Sequence, residues 1–385
     1  MFLEQTIKKN PGMIETAFHL HRTGALLPDS FVVDMDTLME NAKNMLKTAK
    51  DADIRLYFML KQLGRNPYIA KELVKAGYEG AVVVDYKEAD IMMKAGIPIG
   101  NIGHLVQVPN AQLERVAAYG PEVITVFSKE KIKAIDEAAG KLGRVQGLLI
   151  RVFDEKDMIY SGQTAGFSLE SLRETAEYIR RECPHVKVKG VTSFPCYLYD
   201  EEQKKIEPTE NLRTVLEGAA LLEEMGMPCE IINTPSATCG YTIDLMKQYG
   251  GNCGEPGHGL TGTTPMHAVE DMAERPCVLY VSEVSHNFGR MAYCYGGGHY
   301  RRSHVSKALV GPDWSHGRMV DVIPPSDESI DYHFGLSENC QVGDTVIMAF
   351  RYQIFVTRSD VALVKGLQSG KPEIIGIYDS LGRQK

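Results

Sequence analysis

The most constraining feature of this sequence is an alternation of short β-rich runs and helical stretches from Ile54 to Glu255. Turn signals bound the helical stretches; Asn66-Pro67 is typical of a helix start and Gly77 of a helix end. This rhythm is typical of βα units, in which the strands lie parallel in one sheet. The chain is therefore predicted to be an α/β protein.

Eight strands are predicted within this region, which is the number that a closed (β/α)8 TIM-type barrel requires. They cover residues 54–60, 81–84, 101–105, 123–126, 146–152, 186–193, 230–233 and 252–255. Helices are predicted between them over residues 66–76, 86–95, 129–142, 169–181 and 209–225. An open doubly wound sheet is the alternative, but nothing in the pattern marks the reversal of strand order that such a sheet needs.

The residue pattern changes after about residue 270, where helical periodicity ends. β-rich runs follow at residues 277–284, 291–295, 345–350, 353–357, 361–364 and 373–378. They predict a C-terminal, mostly antiparallel β-domain. One more β-rich run, residues 31–35, precedes a helix predicted over residues 36–49. It would be a ninth strand, so we expect it to pair outside the barrel.

Composition narrows the class of protein. A net charge of −8 argues against a nucleic-acid partner, since phosphate binding relies on clustered Lys and Arg. No apolar run approaches the roughly 18 residues needed to cross a bilayer, and the first ten residues do not resemble a signal peptide. The eight cysteines have neither disulfide-type nor zinc-type spacing. We expect a cytoplasmic enzyme with a small-molecule substrate, reduced thiols and no metal.

Residues that follow barrel strands are the candidates for chemistry, because active sites of this fold lie at the carboxyl ends of the strands. Lys61 comes directly after the first strand. It is either a solvated loop residue or a desolvated amine that is nucleophilic toward a carbonyl group. His104, Arg151 and Ser193 also fall at strand ends, and for His104 a structural role is the alternative. Cys196 is interpreted as a buried thiol, since no histidine partner is evident.

The loops after strands seven and eight are rich in glycine and hydroxyl groups, as in the phosphate site of this fold. They contain Ser236 and Thr238, and then Gly257 and His258; simple tight turns are the alternative. Residues 257–262 also spell G-x-G-x-x-G, but they follow the last barrel strand instead of opening a first βα unit. This position argues against a dinucleotide site.

Together these residues make the chain resemble the fold-type III pyridoxal-phosphate (PLP) enzymes, which include alanine racemase, amino-acid decarboxylases and D-threonine aldolase. The closer resemblance is to the YhfX-like branch of the alanine-racemase-like group, over nearly the whole chain. It implies that Lys61 forms the aldimine with PLP and that the strand at residues 31–35 pairs with the β-domain. The implied domains are a PLP-binding barrel over residues 36–268 and a β-domain made of residues 1–35 and 269–385.

The resemblance also implies roles for the strand-end residues. The hydroxyls of Ser236 and Thr238 and the backbone of Gly257 and His258 would hold the cofactor phosphate. Glu255, in Glu255-Pro256-Gly257, would pair with the pyridine nitrogen, as it does in decarboxylases, where alanine racemases have arginine. Arg151 matches the decarboxylase version of strand five, and Ser193 stands where a ring-packing histidine is usual. These departures point away from alanine itself as the substrate.

The function implied is that of an amino-acid racemase or epimerase with two acid–base groups. Lys61 would serve one face of Cα and Tyr295 of the partner subunit the other, with Tyr293 as the alternative to Tyr295. Shared active sites imply a homodimer. A PLP-dependent decarboxylase is the alternative function, a non-catalytic PLP carrier is less favoured, and the residues do not specify which amino acid is the substrate.

Overall fold

A computed structural model describes all residues from Met1 to Lys385. The α-helices are α1 Phe2–Lys9, α2 Pro11–Arg22, α3 Met35–Ala52, α4 Pro67–Ala76, α5 Tyr86–Lys94, α6 Asn110–Tyr119, α7 Lys129–Lys141, α8 Leu169–Glu182, α9 Glu210–Glu224 and α10 Gly240–Tyr249. The first twelve strands are β1 Ser30–Asp34, β2 Arg55–Phe58, β3 Gly80–Val83, β4 Ile99–Ile102, β5 Val123–Val126, β6 Gln146–Phe153, β7 Phe167–Ser168, β8 Val186–Thr192, β9 Tyr197–Asp200, β10 Lys205–Pro208, β11 Ile231–Asn233 and β12 Cys253–Gly254. The remaining strands are β13 Val278–Phe288, β14 Met291–Tyr295, β15 Lys307–Gly311, β16 Arg318–Ile323, β17 His333–Leu336, β18 Thr345–Met348, β19 Asp360–Lys365 and β20 Glu373–Tyr378.

The predicted barrel is confirmed. Eight strands pair in parallel in the order β2-β3-β4-β5-β6-β8-β11-β12, and β12 returns to β2 to close the sheet. Strands β3, β4 and β5 are buried along their whole length, as expected for parallel strands covered by helices. Apolar side chains from six strands fill part of the interior; they include Tyr57, Val82, Val123, Leu149 and Ile231.

Local signals place the helices between these strands. Asp85 and Ser128 accept hydrogen bonds from backbone N–H groups in the first turns of α5 and α7, which caps both helices. Gly120 and Gly250 end α6 and α10 in the left-handed conformation, which glycine adopts without strain. Helices α6 and α10 were not predicted, although their ends carry these glycine signals.

The predicted β-domain is confirmed, and so is the expectation for the strand at residues 31–35. Strands β13, β18, β15, β16, β17 and β14 form a closed, antiparallel set. Strand β1 joins this sheet, antiparallel to β13 and parallel to β19. The helices α1 and α2 pack on the same sheet through a core that includes Leu3, Ile14, Phe18, Leu279 and Ile347.

The strand predicted over residues 353–357 is wrong. Its apolar residues form a 3-10 turn, Ile354–Val356. The N–H groups of Val356 and Thr357 donate to the carbonyls of Gln353 and Ile354, and the Thr357 hydroxyl donates to Ile354 O as well. Local hydrogen bonds therefore replace the strand pairing that the β-rich composition predicted. Strands β15 to β17 in turn were not predicted.

The chain divides into two compact units. The barrel unit contains residues 43–60 and 67–257, and the β unit contains residues 1–42, 61–66 and 258–385. The domain limits at residues 36 and 268 stay a prediction. None of the helices combines the length and apolar character that a membrane span requires.

Candidate active site

A buried carboxylate occupies the interior of the barrel unit. Glu255 follows β12, and its side chain is 1% exposed. Two asparagines on other strands donate hydrogen bonds to the same oxygen, Oε1: Asn101 on β4 at 3.1 Å and Asn233 on β11 at 2.9 Å. A buried carboxylate needs such donors, because its desolvation is otherwise costly. The arrangement holds the Glu255 side chain in a defined orientation.

Two threonines orient these amides in turn. The hydroxyl of Thr125 on β5 donates to Asn101 Oδ1 at 2.7 Å, and Asn233 Nδ2 donates to Thr192 Oγ1 on β8 at 3.1 Å. All four side chains are buried. Side chains of β4, β5, β8 and β11 and of the residue after β12 thus form a hydrogen-bonded set of hydroxyl, amide and carboxylate groups, named the polar belt: Asn101, Thr125, Thr192, Asn233 and Glu255.

Aromatic rings border the polar belt. His104 lies in the loop beyond β4, and its Nε2 is 4.0 Å from Glu255 Oε2. The His104 ring meets the edge of Phe194 at 5.7 Å between centroids, and Phe194 is 5.9 Å from Tyr160. Both His104 and Glu255 are almost completely buried. The imidazole therefore lies on the Oε2 side of the carboxylate, opposite the two amides on Oε1.

Arg151 is a buried cation on β6 that takes part in no ion pair. Its guanidinium donates to Gln163 O at 2.9 Å and lies 5.1 Å from the centre of the Phe127 ring, and its Nε has no hydrogen-bond partner. Burial lowers the pKa of Arg151, because desolvation disfavours its charged form. A buried cation with an unused N–H fits an anionic ligand. The donor set of the barrel unit, with Arg151 for an anion and Glu255 for a cation, fits pyridoxal phosphate.

Ser193 and Cys196 form the start of the loop after β8. The Ser193 hydroxyl accepts a hydrogen bond from Asn211 Nδ2 at 3.1 Å, and Asn211 also bonds both backbone groups of Met158. Cys196 is completely buried, and burial raises the pKa of its thiol well above the ordinary value. Ser193 thus helps to hold the loop at Met158, while Cys196 has the character of a core side chain, as expected.

The two hydroxyls expected to bind phosphate differ in their contacts. Ser236 has φ 112° and its neighbour Ala237 φ 49°, so the loop after β11 is held in a conformation rare for residues with a side chain. The Ser236 hydroxyl donates to Tyr197 O at 2.7 Å. Thr238 Oγ1 accepts the N–H of Glu255 at 3.2 Å, which leaves its own proton for another acceptor. Thr238 therefore has a hydroxyl proton for a phosphate oxygen, whereas the proton of Ser236 is already used.

Lys61 and His258 belong to the β unit. Lys61 begins a 3-10 turn directly after the first barrel strand and is half-buried. His258 Nδ1 lies 2.9 Å from Thr263 Oγ1 and its Nε2 3.3 Å from Gln353 Nε2. Burial, and then the positive charge of Arg351 and of Lys61, lowers the pKa of His258 well below its ordinary value. The imidazole is therefore neutral near pH 7.

Tyr295 ends β14 and is 39% exposed. Its backbone carbonyl accepts a hydrogen bond from Ser282 Oγ at 2.7 Å, and the Tyr280 hydroxyl lies 3.4 Å from it. Tyr293, the alternative, stacks on His286 at 5.0 Å with the two rings nearly parallel. The phenol of Tyr295 is thus exposed on a firmly held strand end, whereas the ring of Tyr293 is covered on one face.

The glycine triplet after Tyr295 has a packing reason. A Cβ at Gly297, where φ is 135°, would lie 1.9 Å from Asp29 Oδ2, and one at Gly298 would lie 2.5 Å from the Tyr280 ring. Only glycine lets this corner of the sheet lie against Asp29 and Tyr280.

The predicted site residues are thus divided between the units. Those in the barrel unit are Arg151, Ser193, Ser236, Thr238, Glu255 and Gly257, and those in the β unit are Lys61, His258 and Tyr295. Among the barrel residues, Thr238 and Glu255 are joined directly by a hydrogen bond. Sequence reasoning missed Asn101 and Asn233, although a single polar residue near the end of an otherwise apolar barrel strand is a usable signal.

Two family descriptions match the chain. Residues 33–265 match the description "Alanine racemase, N-terminal domain", and residues 279–374 match "YhfX-like, C-terminal domain". The chain is also 44% identical over 383 residues to "Uncharacterized protein YhfX" of Escherichia coli (strain K12), and 99% of each chain is covered.

Solved structures with the same fold come from several enzymes. The D-threonine aldolase from Filomicrobium marinum has a TM-score of 0.65 at 16% identity, over 92% of this chain and 95% of that chain. The alanine racemase of Clostridium difficile 630 in complex with cycloserine has 0.64 at 18%, over 92% and 99%. The D-threo-3-hydroxyaspartate dehydratase from Delftia sp. HT23 has 0.67 at 14%, over 91% and 97%.

These structures share the fold but are named for different activities. They therefore do not specify a reaction for this chain. The two matched regions and the relative of equal length do specify the family. The chain belongs to the alanine-racemase-like family of fold-type III pyridoxal-phosphate proteins, in its YhfX-like branch.

Proposed function

We propose that this chain is a PLP-dependent enzyme that acts at Cα of an amino acid, as a racemase or epimerase of an amino acid other than alanine. The observation that carries the proposal is the buried carboxylate of Glu255, whose Oε1 is held by Asn101 and Asn233. A carboxylate of this kind suits a cationic ring nitrogen. Membership of the family leads us to expect PLP as the cofactor. The solved structures with the same fold are named as a racemase, an aldolase and a dehydratase of hydroxy amino acids.

Each residue of the proposal has one task. Lys61 would hold the cofactor, and its amine would take or return the proton on one face of Cα. Glu255 would hold the ring nitrogen in its protonated form. When bound, the cofactor would supply an electron sink for the charge left at Cα. The positive charges of Arg351 and Lys61 add to burial in lowering the pKa of His258, so this imidazole is not a competing cation near the Lys61 amine.

The loops after β11 and β12, together with Arg151, supply the hydrogen-bond donors for anionic groups of the ligand. The Thr238 hydroxyl and the backbone of Gly257 and His258 are proposed to hold the phosphate, with Ser236 joining if its hydroxyl turns away from Tyr197 O. Arg151 is proposed to bind an anionic oxygen of the cofactor or substrate, because its buried Nε is otherwise without a partner.

The second acid–base group is proposed to be Tyr295 of a partner subunit in a homodimer. Its exposed phenol and its carbonyl, which Ser282 and Tyr280 hold, suit a group that must reach a site outside its own sheet. This arrangement would let Tyr295 return a proton to the face of Cα opposite Lys61.

A decarboxylase is the second candidate, and Glu255 together with Arg151 favours it. A carboxylate at the ring nitrogen strengthens the electron sink, which serves loss of carbon dioxide as well as loss of a proton. A buried arginine can bind an acidic substrate. The two candidates differ in the bond to Cα that breaks: hydrogen in one, the carboxyl carbon in the other.

One experiment tests the proposal in two stages. The purified chain is incubated with PLP, its absorbance is recorded, and the complex is reduced with borohydride and mapped by mass spectrometry. We expect a pyridoxyl adduct on Lys61; an adduct on another lysine, or none in the wild type, contradicts the proposal.

Single enantiomers of amino acids, including β-hydroxy amino acids, are then incubated in deuterated water. Exchange at Cα with inversion supports the racemase, and release of carbon dioxide without inversion supports the decarboxylase. Lys61→Ala is the control, because it should abolish both reactions while leaving the barrel interior unchanged.

A further inference from the structure

We infer that Asn101 and Asn233 are positioning residues that keep Glu255 ionised and turn its Oε2 toward the cationic group that it binds. The inference rests on the proposed function for the identity of that group, the pyridine nitrogen. The residues that carry it belong to the polar belt of the barrel unit.

Thr125 holds Asn101 in its orientation. A carboxylate oxygen only accepts, so the Asn101 atom that lies 3.1 Å from Glu255 Oε1 is the amide nitrogen. Asn101 Oδ1 then points to the Thr125 hydroxyl, which donates to it at 2.7 Å. Thr125 therefore acts on Glu255 through Asn101, although it does not touch the carboxylate.

Asn233 uses both hydrogens of its amide nitrogen. One goes to Glu255 Oε1 at 2.9 Å and the other to Thr192 Oγ1 at 3.1 Å. The amide nitrogen has no lone pair to accept a proton from the acid, so both asparagines can only donate to Oε1. Any proton on Glu255 would have to be carried by Oε2.

Two N–H donors on one oxygen favour the ionised form of a buried carboxyl group. Both amide hydrogen bonds go to Oε1. The titratable groups that face Glu255 within the barrel unit are His104, 4.0 Å from Oε2, and the thiols of Cys196 and Cys253. Burial keeps both thiols neutral, and His104 lies on the Oε2 side.

The test measures the carboxyl group and the ring nitrogen separately. The cofactor-free chain, labelled with 13C at the Glu side-chain carboxyl, is titrated by NMR, and the Glu255 signal is assigned by its loss in Glu255→Gln. The chain is then loaded with PLP that carries 15N at the pyridine nitrogen. The 15N chemical shift reports whether this nitrogen is protonated.

Asn101→Leu and Asn233→Leu keep the approximate volume of each side chain and remove its donors. We expect each to move the Glu255 titration to higher pH by about one unit, and to shift the ring 15N signal toward the neutral value. Asn41→Leu is the matched control, since Asn41 is a buried amide that donates to Leu260 O and Arg275 O, in the β unit. It should leave both signals as in the wild type.

Thr125→Val provides a second, milder variant if the asparagine variants do not fold. Removing its hydroxyl frees Asn101 to turn, so the Glu255 titration should move in the same direction by a smaller amount, and Thr125→Ser should restore it. Unchanged carboxyl and nitrogen signals in all folded variants overturn the inference. If the wild type binds no PLP, the proposed function fails, while the carboxyl titration still decides this inference.

Discussion

Tyr280 donates a hydrogen bond to Asp29, with 2.9 Å between Oη and Oδ1, and the same phenol lies 3.4 Å from the backbone carbonyl of Tyr295. Ser359 donates to the same Asp29 oxygen. The carboxyl group of Asp29 is thus linked through the Tyr280 phenol to the strand end that presents Tyr295, and it also lies against Gly297 of the same corner.

The stability of the chain should depend on pH through Asp29. Burial raises the pKa of Asp29 to about 6, against the lowering effect of the hydrogen bonds from Ser359 and Tyr280. The pKa of Asp29 is higher in the folded chain than in the unfolded chain. The contribution of protonated Asp29 to the free energy of unfolding is therefore complete below about pH 4 and is lost as the pH rises through about 6.

Asp29→Asn mimics the protonated side chain and should remove this dependence. From pH 4 to pH 7 the unfolding free energy of the wild type should fall by on the order of 2 kcal/mol more than that of the variant. Urea denaturation at both pH values measures this difference. Asp327→Asn, an exposed carboxylate of the same unit, serves as the control. Equal pH profiles for wild type and Asp29→Asn would contradict the assignment.

Removing the buried charge of Arg151 should separate stability from cofactor binding. Arg151→Met deletes a desolvated cation without an ion pair, so the cofactor-free chain should gain about 1 kcal/mol in unfolding free energy. Its affinity for PLP should fall about tenfold or more, because the buried donor for an anion is lost.

Thermal unfolding and a spectroscopic PLP titration measure the two effects of Arg151→Met. Arg213→Met is the control, since Arg213 pairs with Glu210 and Glu217 at the surface and should affect neither quantity strongly. A loss of stability in Arg151→Met without loss of affinity would indicate a purely structural arginine.

The two tyrosines of β14 should respond differently to loss of the hydroxyl. Tyr295→Phe should slow racemisation by about 10²- to 10⁴-fold, because a positioned acid–base group contributes that much. Exchange of the Cα hydrogen should persist for the enantiomer that Lys61 serves. Tyr293→Phe keeps the stack on His286 and should leave both rates near wild type; the reverse pattern would assign the second base to Tyr293.

Shared active sites predict complementation between inactive chains. A heterodimer of Lys61→Ala and Tyr295→Phe chains would contain one site with both wild-type residues, so it should recover about half of the wild-type activity. Differently tagged chains allow its purification and assay. If Lys61 and Tyr295 of one chain serve the same site, the heterodimer has no intact site and stays inactive.

Much of the fold was predictable from the sequence because the signals are local. The βα rhythm and its turn residues predict eight parallel strands, the number that a closed barrel requires, and the strand pairings show that the barrel closes. Residue composition gave a wrong prediction where hydrogen bonds within one turn fix the conformation. At residues 353–357 the composition is typical of a strand, yet Val356 and Thr357 bond to carbonyls within the same turn.

Positions along the chain determined which residue types follow each barrel strand: Lys61 after the first, Ser236 and Thr238 after the seventh, and Glu255 at the eighth. The tertiary structure alone decided that Asn101 and Asn233, 132 positions apart in the sequence, donate to one oxygen of Glu255. The physical reason is that strands brought together by closure of the barrel direct their polar side chains into one dry interior. There an unpaired carboxylate is costly, and only the pairing of the strands specifies which amides reach it.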